Sequence, residues 1–76
     1  MSSVYAIVSV ADESGPGRVL LRGSRRMCRQ AMFSGALTFI ERGFRVERIG
    51  NDARLRVFHR TTGELEIERH LIALDI

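Results

Sequence analysis

Lysine and tryptophan are missing from this 76-residue chain, and cysteine, proline and tyrosine occur once each. Each scarcity excludes something. A lone cysteine makes no internal disulfide, and with two histidines it makes a zinc site only if carboxylates help. No apolar run approaches the ~20 residues of a membrane-spanning helix, and the first residues lack the charged start and apolar stretch of a signal peptide. These features lead to the expectation of a cytoplasmic protein that uses no membrane. A chain this short builds one small domain that buries only ~60% of its unfolded surface, with little room for a large substrate cleft.

What is present is arginine. All 12 basic residues are arginine against 9 acids, a net charge of +3. Residues 1–17 carry −2 and residues 61–76 carry −3, whereas residues 18–60 hold 11 arginines against Glu41, Glu47 and Asp52, for +8. The basic charge is concentrated in the middle of the chain.

Hydrophobic periodicity orders the elements. Val4–Val10 is β-branched and apolar, a strand; a turn over Asp12–Gly17 leads to a second strand at Arg18–Arg22. Ser24 can cap a helix that runs from Arg25 to about Glu41, with Cys28, Ala31, Met32, Gly35, Phe39 and Ile40 forming its apolar stripe. Gly43 suits the left-handed position that closes a helix, and Gly35 suits the close approach of another backbone.

Beyond Gly43 the period becomes 2. Strands are expected at Phe44–Ile49, Arg54–His59 and Glu64–Glu68, with turns at Gly50–Asp52 and Thr61–Gly63. A three-residue loop with Gly63 left-handed sets Arg60 opposite Glu64, Arg56 opposite Glu68 and Val57 opposite Ile67. Leu71–Leu74 then continues the last strand past a bulge. The expected fold is a two-layer α+β domain, residues 1–76, with one helix on an antiparallel sheet of about five strands in chain order β-β-α-β-β-β. These patterns leave the spatial order of the strands open.

The candidate chemistry lies in surfaces. Cys28 falls on the apolar helix stripe and reads as core rather than nucleophile. His59 has core-facing parity at a hairpin end, and His70 can pair with Asp75. Neither histidine has a nucleophile or a ligand spacing beside it, so no catalytic residue, metal or cofactor is expected. Two arginine groups stand out. Arg22, Arg25, Arg26 and Arg29 surround the helix start, where cations oppose the macrodipole but suit the capture of an anion. Arg54, Arg56, Phe58 and Arg60 share the outward face of one strand, a pattern for base stacking or a protein hot spot. Glu64, Glu66 and Glu68 opposite them make a self-paired, solvated ion ladder, with Phe58 covered by arginine stems, the better account of this face. Phe33, Leu37 and Ile40 form a second apolar helix stripe, the face for a dimer or another partner.

In layout the chain resembles the small α+β proteins of phages and mobile elements, among them several anti-CRISPR proteins. The strands at Val4–Val10 and Arg18–Arg22, the Ser24-capped helix and the strands at Arg45–Ile49, Arg54–His59 and Glu64–Arg69 carry that likeness. Phe39–Val46 and Thr62–Leu65 mark its helix-into-hairpin run. The resemblance is one of architecture over nearly the whole chain and carries no functional residue across; many such proteins are acidic, and the basic middle is a departure. It implies a stoichiometric, non-enzymatic inhibitor that binds a bacterial CRISPR effector or similar ribonucleoprotein complex. Two further readings are an arginine-rich nucleic-acid-binding or regulatory module, with Arg25, Arg26 and Arg29 on phosphates, and a homodimeric structural protein.

Overall fold

The β-branched run, the capped helix and the alternating segments each become the element their periodicity predicts. A computed structural model describes residues 4–10 and 17–74. It contains β1 (Val4–Val10), β2 (Arg18–Gly23), α1 (Arg25–Glu41), β3 (Arg45–Ile49), β4 (Arg54–Phe58) and β5 (Leu65–Leu74). The expected Asp12–Gly17 turn, apart from Gly17, lies outside the described residues, as does Asp75.

The described residues form a small α+β domain, one helix against a five-stranded antiparallel sheet. In space the strands run β2-β1-β5-β4-β3, so the order across the sheet is not the order along the chain. The C-terminal strand inserts at the centre. It pairs with β1 from Val4 opposite Leu74 to Val10 opposite Glu68, joining the first strand pair to the last three strands. β2 and β3 are thereby left as the two edges.

Helix ends follow local chemistry. The Ser24 hydroxyl accepts from the Met27 amide at 3.1 Å, and Gly43, at φ +92°, turns the chain so that the Phe44 amide reaches the Phe39 carbonyl at 3.0 Å. Cys28, Met32 and Ala36 point into the core with Ile7 and Leu55; Tyr5, Leu21, Ala31, Val46 and Leu71 pack around them. The helix stripe differs from the expected one at two places. Ala36 is core, whereas Ile40 is 46% exposed, because the buried arc is centred on Met32 and Ile40 lies to one side of it.

The β4–β5 hairpin keeps Arg56 opposite Glu68 and Val57 opposite Ile67 but departs from expectation nearer the loop. The loop spans four residues rather than three: the His59 amide donates to the Glu64 carbonyl at 2.9 Å, so His59, not Arg60, faces Glu64. Phe58 then lies opposite Leu65, and the register shift leaves Glu66 as the extra residue. The bulge therefore precedes Ile67, and β5 runs on through Leu71–Leu74 as one ten-residue strand.

Candidate functional site

Strand parity assigns the arginines of the sheet to two faces. Leu55 and Val46 face α1, so their neighbours Arg54, Arg56, Arg45 and Glu47, with Glu68 and His70 opposite them, share the face away from the helix. Here Glu68, with its side chain only 15% exposed, draws Arg54, Arg56 and His70 to one carboxylate. Arg54 Nε donates to it at 2.5 Å, and His70 Nε2 stands 3.4 Å away. Arg45 pairs with Glu47 at 3.7 Å. These charges largely satisfy one another.

Phe58 is not the exposed platform that its flanking arginines suggest. It is 8% exposed, with the Arg45 guanidinium 4.2 Å from its ring centre and that of Arg56 at 5.4 Å. The arginines lie over the ring and close it to any stacking base. Glu66 is drawn away from the ladder to His59 Nε2, whose ring also rests 5.2 Å from Phe44. His59 and His70 sit at opposite ends of β4, about 15 Å apart at strand spacing, and cannot share a ligand. Among the described residues no group of three or more His, Cys, Asp or Glu could hold a metal ion, and no helix is long and apolar enough to cross a membrane.

Cys28 is fully buried, and burial pushes its thiol up from the ordinary value, away from nucleophilic use. Arg69, which sequence reasoning passed over, lies on the core side of β5 opposite Leu55. Its guanidinium stacks 5.1 Å from the Phe39 ring, and burial lowers its pKa below the usual arginine value. Gly35 makes the room: a Cβ there would stand 2.8 Å from Arg69 Nη1, so a guanidinium, not a backbone, approaches the helix. The signal was Arg69 falling in the alternation of Ile67 and Leu71 beneath a helix glycine.

The arginines at the helix start differ from Arg45, Arg48, Arg54 and Arg56 of the sheet. Arg25, Arg26 and Arg29, with Gln30, line a shallow depression at the beginning of α1. Among the described residues none of the three has a carboxylate within ion-pair distance, and no acid occupies the first turn. Asp52 is held below the usual carboxylate range chiefly by its hydrogen bond from Arg48, with a smaller contribution from Arg29. Arg22 does not join this group, because pairing with Ala6 turns it to the sheet face away from the helix. Arg60 is exposed in the β4–β5 loop, likewise without an ion pair among the described residues.

Beside the depression, Phe33, Leu37 and Ile40 lie 44, 45 and 46% exposed along one flank of α1. Arg48 of β3 covers part of Phe33 at 5.2 Å and is itself held by Asp52. Arg29, Gln30, Phe33, Ser34 and Asp52 line a second depression that joins this flank to the β3–β4 turn. Comparison with protein-family models, curated proteins and solved structures gives no match.

Proposed function

We propose that the chain is a non-enzymatic binding protein that docks an acidic surface of a macromolecular partner through Arg25, Arg26 and Arg29. One observation carries this reading: these three arginines gather around one depression without an ion pair among the described residues, whereas Arg45, Arg48, Arg54 and Arg56 of the sheet are tied to Glu47, Asp52 and Glu68. Unpaired guanidinium groups offer forked donors to carboxylates or phosphates without first breaking an internal bridge.

In its most concrete form the partner is a bacterial CRISPR effector complex in the cytoplasm, blocked stoichiometrically, as the architectural likeness implies. A direct nucleic-acid module is the second reading, favoured by the same three arginines. The covering of Phe58 removes the aromatic platform that single strands require, which tilts the balance toward a protein surface.

The test compares wild type with the Arg25→Glu, Arg26→Glu, Arg29→Glu triple variant against a purified effector ribonucleoprotein and against a generic DNA duplex over a salt series. The expected result is a stoichiometric complex with the effector, lost in the triple variant, and no shift of the duplex. A shift of the duplex alone, weakening steeply with salt, transfers the assignment to the nucleic-acid reading. Binding to neither overturns the reading in its concrete form.

A further inference from the structure

The two edges of the sheet are not alike. β2 pairs with β1 through a register shift between Ile7 and Val8, an irregularity that blunts an edge against further pairing. β3 pairs with β4 over five consecutive residues without a shift, and its other side has no strand beside it among the described residues. Next to this regular edge lies the apolar flank of α1, where Phe33, Leu37 and Ile40 stand exposed, and Ile49 of β3 is itself 41% exposed. β3 contains no proline.

Self-pairing across a two-fold axis is tightly constrained, because the axis must pass through one residue pair. With Glu47 on the axis two carboxylates face each other; with Arg45 or Arg48 there, two guanidinium groups do. With Val46 on the axis, valine meets valine, and Arg45 lies opposite Glu47 of the second copy, twice by symmetry. Phe44 then lies opposite Arg48 of the second copy, ring against guanidinium. Parity agrees: Val46, Arg48 and Phe44 share the helix side, where Arg48 lies over Phe33 and Phe44 meets Phe39 edge-on. Arg45 and Glu47 share the other side and sit 3.7 Å apart, with side chains 54 and 40% exposed. One register thus satisfies charge, aromatic and apolar complementarity together.

We propose that two copies of the chain join edge to edge through β3, antiparallel with Val46 on the two-fold axis, extending the sheet across the pair. Both helices then lie on one side of the joined sheet, their Phe33, Leu37 and Ile40 flanks facing the seam. The occupant of the edge is a second copy of this chain, and the interface is distinct from the arginines at the helix start.

Sedimentation equilibrium of wild type, Arg45→Glu, Glu47→Arg and the combined double variant tests this, with circular dichroism confirming that each is folded. Wild type is expected to dimerise. Each single reversal turns both symmetric ion pairs into like-charge pairs and is expected to raise the dissociation constant by about tenfold or more. The double variant, with the charges exchanged, is expected to recover the dimer. A wild type that remains monomeric at the highest soluble concentration overturns the proposal. So does a dimer that both single reversals leave intact, or one that single reversals weaken and the double variant fails to recover. Because Arg25, Arg26 and Arg29 are unchanged in all four proteins, these outcomes leave the partner-binding test untouched.

Discussion

Arg69 and Gly35 show how one side chain can occupy a layer built for apolar groups. The guanidinium lies between sheet and helix, its Nε buried without a hydrogen-bond partner among the described residues, and stacks on Phe39. Stacking on a ring and the delocalised charge of guanidinium make arginine the cation best suited to such a place. Gly35 interrupts α1 to admit it, at a cost of about 1 kcal/mol in helix propensity. Gly35→Ala regains much of that while displacing only the tip of a flexible side chain. The variant is expected to gain about 0.5 kcal/mol, a rise of about 2–4 °C in melting temperature by thermal denaturation. A fall would show that the position of Arg69 is held rigidly. The residue pattern made Arg69 legible in principle, since it shares the parity of Ile67 and Leu71, but an arginine in a strand is ordinarily placed in solvent.

At the scale of elements, the β3–β4 turn and the start of α1 carry opposite electrostatic designs. Gly50, Asn51 and Asp52 all have positive φ, at 63, 57 and 66°, a run that glycine, asparagine and aspartate tolerate best. The turn places the Asp52 carboxylate on Arg48, whose two donors grip both oxygens. The Arg48 hydrogen bond, aided by its charge, holds Asp52 below its ordinary pKa. The folded state therefore releases this proton more readily than the unfolded chain does, so the ion pair stabilises above the ordinary carboxylate range and is lost as pH falls through the lowered value. Asp52→Asn keeps a residue that accepts positive φ but removes the charge and one of the two oxygens that accept from Arg48. Its urea midpoint is expected to lie below wild type at pH 7, the difference closing in strong acid; an unchanged gap at pH 2 would refute the assignment.

The start of α1 does the reverse, for arginines occupy the first turn where acids belong. Arg25→Glu and Arg26→Glu are each expected to stabilise the protein by about 0.3–1 kcal/mol in denaturant titration while weakening partner binding. Stability and binding moving in opposite directions distinguish a binding residue from a structural one. Variants less stable than wild type would show that these arginines serve the fold instead.

At the scale of the whole molecule, the insertion of β5 between β1 and β4 ties the two ends of the chain together at the sheet's centre. Cys28, fully buried on the inner face of α1 against Ile7 and Leu55, reports on whether that unit opens as a whole. A thiol reagent is expected to label Cys28 only at the rate of global unfolding, so labelling should quicken with denaturant in step with loss of circular dichroism. Labelling that is fast in water and indifferent to denaturant would mean that α1 lifts from the sheet by itself.

Several features follow from the sequence alone. Ser24 and Gly43 bound the helix because capping and left-handed closure depend on residues a few positions apart. The pairings of Arg56 with Glu68 and Val57 with Ile67 match the expected ones, but only because the extra residue in the loop is offset by the bulged Glu66. The concentration of arginine at the helix start is visible without coordinates, as is its poor fit to the macrodipole. Other features required the tertiary structure. A single bulged residue, Glu66, changes which residues oppose one another beyond Val57 and has no signature in hydrophobic period. Phe58 is covered because Arg45, thirteen positions earlier in the chain, arrives beside it on β3. The central place of β5 decides which strands are edges. Local preference acts over a few residues, whereas strand order and ion pairing are settled by contacts between segments distant in sequence.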